Sequence, residues 1–166
     1  TQGSGKTLTM MSLAENIFEY TENKPTILML IDRTELEDKL ITDLISIDLK
    51  YVKVAASIVD ISNLLKSDFR GIIVSTIQKF EKIEKNINSK KEIYVLVDEA
   101  HRTTQGDLGN YLMSAIPNAT FFGFTGTPID KTAHGKGTFK TFGTDDKKGY
   151  LHKYSILDSL KDKTTL

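Results

Sequence analysis

The first residues of the chain combine glycine, lysine and threonine in a pattern suited to binding phosphate. The opening Thr-Gln-Gly-Ser-Gly-Lys-Thr matches the second half of the pattern G-x-x-x-x-G-K-[ST]. Gly3 and Gly5, with Ser4 between them, permit backbone angles that point N–H groups at phosphate oxygens. Lys6 can bridge the β- and γ-phosphates, and the Thr7 hydroxyl can ligate Mg²⁺. The segment therefore predicts a site for ATP and Mg²⁺.

Two adjacent carboxylates follow an apolar run later in the chain. Tyr94–Val97 reads as a buried strand and leads directly into Asp98-Glu99-Ala100-His101. Ligands of open α/β sheets bind at the carboxyl ends of strands, so this pair is placed for chemistry. Asp98 would hold Mg²⁺ through water, and Glu99 would orient and activate the attacking water. The alternative is an acidic turn with an N-capping Asp, which the phosphate loop upstream makes the weaker interpretation.

A third segment places small hydroxyl residues after another apolar run. Phe121–Phe124 precedes Thr125-Gly126-Thr127-Pro128. Hydroxyls at a strand end beside the acidic pair can hydrogen-bond into that site and sense whether the γ-phosphate is present. The alternative is a plain strand-ending turn, for which this composition is also suitable. Following the other two motifs in this order, Thr125 and Thr127 are interpreted as coupling residues, together with His101 and Arg102.

Short apolar runs alternate with stretches of helical period, which predicts an α/β fold on a mostly parallel sheet. Each run is nearly continuous in hydrophobicity, as expected for strands covered on both faces. The strand candidates are Thr26–Ile31, Tyr51–Ala55, Gly71–Ser75, Ile93–Val97 and Thr120–Phe124. Helical stripes, interpreted as core packing, are Met10/Leu13/Ala14/Ile17, Leu36/Leu40/Leu44 and Ile77/Phe80/Ile83/Ile87.

The last part of the chain differs from the rest in composition and in hydrophobic pattern. Residues 129–149 are rich in Gly, Thr and Lys without a clear period and predict an extended loop or hairpin, and a final helix is expected over roughly Ser155 to Lys161. We expect one nucleotide-binding domain over residues 1–128 and a connecting segment over residues 129–166. Thr1 falls inside a motif, so the sequence is interpreted as an excerpt that lacks the strand of the phosphate loop.

The overall composition excludes several classes of protein. The 166 residues fit one domain, and 22 basic residues balance 22 acidic ones, which argues against an autonomous DNA-binding module. There is no cysteine, which excludes disulfides and thiolate metal sites and fits a reducing cytoplasm. No apolar stretch approaches the roughly 20 residues needed to span a bilayer, so no membrane partner is expected.

The three motifs together resemble motifs I, II and III of superfamily-two helicases and translocases. The finer resemblance is to the motor subunit of type I restriction enzymes, although the acidic motif reads as a DEAH box. It is carried by four blocks: Ile31–Leu36, Val74–Phe80, the stretch from Asp98 to Ile129, and Tyr154–Leu160. The resemblance implies a RecA-like P-loop NTPase domain, with ATP held against a second motor domain that supplies an arginine finger and is not present in this sequence.

The resemblance also implies function and partners. The parent subunit would translocate double-stranded DNA with ATP, carry a nuclease domain, and assemble with methyltransferase and specificity subunits. Arg33, Thr76 and Gln78 are candidate DNA contacts, with capping or turn roles as the alternative. Two rival functions remain open: another superfamily-two DNA helicase or translocase, and a nucleotide-binding module that does not hydrolyse. Little or no turnover is expected from the fragment alone, because the arginine finger is missing.

Overall fold

The computed structural model describes residues 5–31, 42, 51–81, 83–103, 107–128, 137–143 and 146–163. Strands and helices alternate along this part of the chain. The predicted stripe of Leu36, Leu40 and Leu44 lies outside it. The elements in chain order are α1 (Lys6–Tyr20), β1 (Thr26–Ile31), β2 (Val52–Val54), α2 (Ile58–Lys66), β3 (Gly71–Thr76), a 3₁₀ helix (Ile77–Phe80), β4 (Ile93–Val97), α3 (Ala100–Thr103), α4 (Leu108–Ala115), β5 (Thr120–Gly123), α5 (Gly137–Phe142) and α6 (Ile156–Lys161).

The strands form one parallel sheet in the order β2-β3-β1-β4-β5. All five predicted strands are present, with bounds that shift by up to one residue at an end. Because every pairing is parallel, the carboxyl ends of the strands lie along one edge of the sheet. The residues that follow β3, β4 and β5 are therefore brought to that edge, as the α/β interpretation requires.

The central strand β1 is buried on both faces, and its alternating side chains divide the core in two. Ile27, Met29 and Ile31 pack with Met10 and neighbouring residues of α1 on one face. Leu28 and Leu30 pack with α2, the 3₁₀ helix and α4 on the other. This two-sided burial explains why β1 reads as a continuous apolar run rather than an alternating one.

The third predicted helical stripe, Ile77/Phe80/Ile83/Ile87, is only partly helical in the structure. Only Ile77–Phe80 is helical, as a 3₁₀ helix, whereas Ile83 and Ile87 lie in irregular chain. Asn86 has a left-handed φ of 54° and donates its N–H to the Ser114 carbonyl, which is incompatible with a continuing helix. The interpretation of the stripe as core packing is confirmed, because Ile83 is buried and Ile87 packs against the core.

Two further expectations are corrected at the ends of the sheet. β2 and β5 are not covered like the central strands, since each pairs along one edge only within the described residues and both leave side chains exposed. In the segment interpreted as a loop or hairpin, Gly137–Phe142 forms α5, which packs on β5 and α3.

The final helix, α6, is confirmed, with the Ser155 hydroxyl capping it by accepting the Asp158 N–H. Among the described residues, no helix is both long and apolar enough to cross a membrane.

Candidate nucleotide site

The helix α1 begins where the phosphate-binding pattern predicts. Gly5 caps its N-terminus in the left-handed region at φ 75° and ψ 16°, and no side chain caps the first turn. A Cβ at Gly5 would meet nothing within 4 Å, so the constraint here is backbone conformation rather than space. The amides and partial positive charge of this 15-residue helix are directed at the site where a phosphate is expected.

The acidic pair sits in a tight, left-handed turn at the end of β4. The Asp98 N–H donates to the Leu30 carbonyl at 2.8 Å, and one Asp98 carboxylate oxygen accepts the Glu99 N–H at 2.9 Å. Glu99 adopts a φ of 46°, which side chains other than glycine adopt at a cost of order 1–3 kcal/mol. Strain of this kind persists only where the surrounding structure fixes it, and it concentrates at functional sites.

The structure brings the lysine of the first motif to the second carboxylate of the acidic pair. Lys6 Nζ lies 3.4 Å from Glu99 Oε1, with side chains 20% and 26% exposed respectively. The other oxygen, Glu99 Oε2, lies 3.3 Å from His101 Nδ1. The Glu99 carboxylate is thus held from both sides, and the two residues proposed for phosphate binding and water activation share one partly buried site.

His101 carries the network on to the third motif. Its Nδ1 lies 2.8 Å from Thr125 Oγ1 and 3.4 Å from Thr127 Oγ1. The Thr125 hydroxyl also accepts the Thr127 N–H at 3.1 Å. Which tautomer His101 adopts decides whether Nδ1 donates to Glu99 or accepts from the Thr125 hydroxyl. His101 Nδ1 therefore links the Glu99 carboxylate to the third motif.

The remaining predicted site residues differ in how far their side chains are exposed to solvent. Thr76 ends β3 and is only 5% exposed, whereas Gln78 is exposed just beyond it. Arg102 has an exposed side chain, and its backbone N–H donates to the Glu99 carbonyl at 2.9 Å. Thr7 is exposed in the first turn of α1. Gly3, Ser4 and Arg33 lie outside the described residues.

The sequence reasoning overlooked two residues near this edge. Lys79 has no role of its own in the sequence interpretation and is only part of the block Val74–Phe80, although its Nζ donates to the Ala55 carbonyl at 2.7 Å beside the ends of β2 and β3. Gly123 was considered only as part of a strand. A glycine inside an aromatic strand signals a close approach by another group, and that signal was available in the sequence.

The donor set fits a magnesium ion that arrives with a nucleotide. Mg²⁺ takes oxygen ligands, keeps several waters, and uses one or two carboxylates together with substrate phosphates. Asp98, oriented by the Glu99 amide, and the exposed Thr7 hydroxyl are donors of this kind. Over the described part of the chain, no group of three or more His, Cys, Asp or Glu side chains is arranged to hold a metal.

Comparison with known proteins agrees with the motifs. The family model for SWI2/SNF2 ATPases matches residues 1–166. The MjaIXP endonuclease subunit of Methanocaldococcus jannaschii, whose name assigns it to a type I restriction enzyme, is 38% identical over 161 residues, covering 93% of this chain and 15% of that protein. The type I restriction enzyme HindI endonuclease subunit of Haemophilus influenzae is 32% identical over 190 residues, covering 100% of this chain and 17% of that protein.

A solved structure, that of T4 UvsW, aligns with a TM-score of 0.47 at 13% identity over 98% of this chain and 33% of its own. The chain spans only 15% and 17% of the length of these two restriction enzyme subunits. The resemblance to type I restriction subunits and the expected RecA-like α/β fold are both confirmed. Because the family model matches the whole sequence and the structure contains a parallel α/β sheet, this chain belongs to the SWI2/SNF2 ATPase family.

Proposed function

We propose that this chain is the ATP-hydrolysing part of a motor that moves along double-stranded DNA, within the restriction subunit of a type I restriction-modification enzyme. The observation that carries the proposal is the contact between Lys6 and Glu99 at 3.4 Å, with His101 joining Glu99 to Thr125. Three motifs far apart in sequence meet at one point, and this meeting supports hydrolysis coupled to movement.

In this proposal the first two motifs divide the chemistry of ATP hydrolysis. Gly3, Ser4 and Gly5 would offer backbone amides to the phosphates, and Lys6 would neutralise charge on the β- and γ-phosphates. Thr7 and Asp98 would hold Mg²⁺, which lowers the charge of the transferred phosphoryl group. Glu99 orients the attacking water, and its short distance to Lys6 supports a position beside the γ-phosphate.

The third motif would report the state of the nucleotide to the rest of the motor. When phosphate engages Lys6, the Glu99 carboxylate loses one of its two partners and is free to turn toward water. His101 then changes its hydrogen bonding with Thr125 and Thr127, whose hydroxyls lie at the end of β5. Arg102, on the exposed side of α3, is the candidate for passing this change to the second motor domain.

The wider role rests on the relatives and on family resemblance. We place the parent enzyme in the cytoplasm and assign it a nuclease domain and partnership with methyltransferase and specificity subunits. Residues 129–166 would lead toward the second motor domain. The exposure of Gln78 supports it as a contact to the DNA backbone, whereas the burial of Thr76 favours a turn role for that residue.

The test is DNA-stimulated ATP hydrolysis by the full-length protein. The Lys6→Ala variant should lose stimulated hydrolysis and triplex displacement, whereas Lys66→Ala, which removes a lysine 55% exposed in a surface ion pair, should retain both. Hydrolysis that survives Lys6→Ala would place the nucleotide elsewhere. A wild-type protein that binds ATP without turnover would support the rival function, a nucleotide-binding module that does not hydrolyse.

A further inference from the structure

The backbone of Phe124 brackets the turn that carries the acidic pair. Its N–H donates to the Val97 carbonyl at 2.8 Å, and its carbonyl accepts the Ala100 N–H at 2.9 Å. Val97 and Ala100 are the residues on either side of Asp98 and Glu99. The end of β5 therefore fixes both ends of the turn in which Glu99 holds its φ of 46°.

A side chain from far along the sequence closes this junction. A Cβ built at Gly123 would lie 2.7 Å from Cγ of Phe142 and 2.9 Å from the Ala100 Cβ, so the ring of Phe142 and the start of α3 both press on the residue before Phe124. Phe142 ends α5, which packs on β5 and α3, and its half-buried ring packs against the core cluster that contains Ala100.

We infer that Phe142 is a positioning residue for the proposed hydrolysis, acting on Glu99 through the Phe124 bracket. A left-handed turn at a non-glycine residue is kept only when its surroundings over-determine it. The ring of Phe142 holds Gly123 against Ala100, which keeps both Phe124 hydrogen bonds in place. With the ring removed, the turn relaxes and Glu99 leaves the position from which it orients water. This inference rests on the proposed function, because the proposed function assigns to Glu99 the orientation of the attacking water.

The first experiment compares Phe142→Ala and Phe142→Leu in the full-length protein. We expect Phe142→Ala to lower the DNA-stimulated kcat for ATP by about 10- to 100-fold, the cost of misplacing a reacting group by about 1 Å, while KM for ATP stays the same. Phe142→Leu, which keeps a large apolar side chain, should retain most of the wild-type turnover. The matched control is Tyr20→Ala, which removes an aromatic ring 82% exposed at the other end of α1 and should leave kcat unchanged.

A second measurement separates positioning from general loss of structure. Hydrogen exchange of the Ala100 amide should be faster in Phe142→Ala, while exchange in β1 stays as slow as in the wild type. Gly123→Ala, whose Cβ would lie too close to both the Phe142 ring and the Ala100 Cβ, should also lower kcat. The double variant should be no worse than the poorer single variant, because both substitutions disturb the same junction of Gly123, Phe142 and Ala100.

The outcomes decide between the ideas. Wild-type kcat in Phe142→Ala, or additive losses in the double variant, would overturn the inference. If Phe142→Ala does not fold, Gly123→Ala and Phe142→Leu carry the same comparison. If the wild-type protein shows no ATP turnover with DNA, the proposed function fails, and the exchange of the Ala100 amide still reports whether Phe142 holds the turn; unchanged exchange would overturn the inference independently.

Discussion

Replacing Glu99 by Gln should tighten the binding of ADP while removing almost all ATP hydrolysis. In the structure Lys6 Nζ lies 3.4 Å from Glu99 Oε1, so a nucleotide must take the lysine from the carboxylate. Glutamine keeps the size of the side chain and removes its charge. The substitution then removes an ion pair from the nucleotide-free protein but not from the ADP-bound protein, in which that pair is already broken. The free energy of ADP binding therefore becomes more favourable.

The size of the effect follows from the geometry of the pair. At 3.4 Å and an effective dielectric constant of about 20, Coulomb's law gives roughly 5 kcal/mol of gross attraction. Desolvation and side-chain entropy offset most of it, and measured ion pairs with solvent access contribute up to about 1 kcal/mol. We therefore expect the dissociation constant for ADP to fall up to about fivefold. ADP is the right probe because it has no γ-phosphate to repel Glu99 directly.

The assay is a fluorescence titration of the full-length protein with labelled ADP, together with steady-state ATP hydrolysis. Turnover of ATP by Glu99→Gln should fall by about 10²- to 10⁴-fold, the range for losing a general base. Glu84→Gln is the matched control, since it breaks the exposed pair with Lys66 and should change neither quantity. Weaker ADP binding by Glu99→Gln would refute the idea that Glu99 and the nucleotide compete for Lys6. Wild-type turnover by the same variant would refute the catalytic role of Glu99.

Three further predictions concern coupling, DNA and acid stability. Replacing Thr125 and Thr127 together by Ala should leave ATP affinity nearly unchanged and reduce translocation, measured by triplex displacement, more than basal hydrolysis; lost ATP binding in a folded variant would contradict the coupling role. The isolated chain, with no net charge, should bind duplex DNA at about 10⁻⁴ M or more weakly at physiological salt, and tight salt-resistant binding in a filter assay would show a basic groove. A hydrogen bond from Lys90, aided by Arg70, holds the pKa of Asp68 below the ordinary 3.8, so its stabilising effect is present above that pH and lost as pH falls through the lower folded-state pKa. Urea unfolding of Asp68→Asn should therefore show lower stability than the wild type at pH 7 and converge with it in strong acid; a constant difference would rule out ionisation as the cause.

Local signals predicted most of the elements and the members of the site. The burial of β1 and β3 on both faces follows from their continuous apolar runs, and the final helix lies where the sequence predicts it. The same reasoning failed at Ile83 and Ile87, because helical spacing describes which residues face the core and does not require that a helix present them. It also treated β5 like a central strand, although its place at the end of the described sheet leaves it half exposed.

The sequence alone determined which groups are available: a lysine after a glycine loop, two carboxylates after a strand, and hydroxyls after another. These are local patterns, and their chemistry follows from residue type and from the rule that strand ends share one edge. Only the tertiary structure decided that Lys6 and His101 both engage Glu99, and that Phe142 presses on Gly123. Such contacts depend on rotamers and on the path of chain segments distant in sequence, and no periodicity within a segment encodes them.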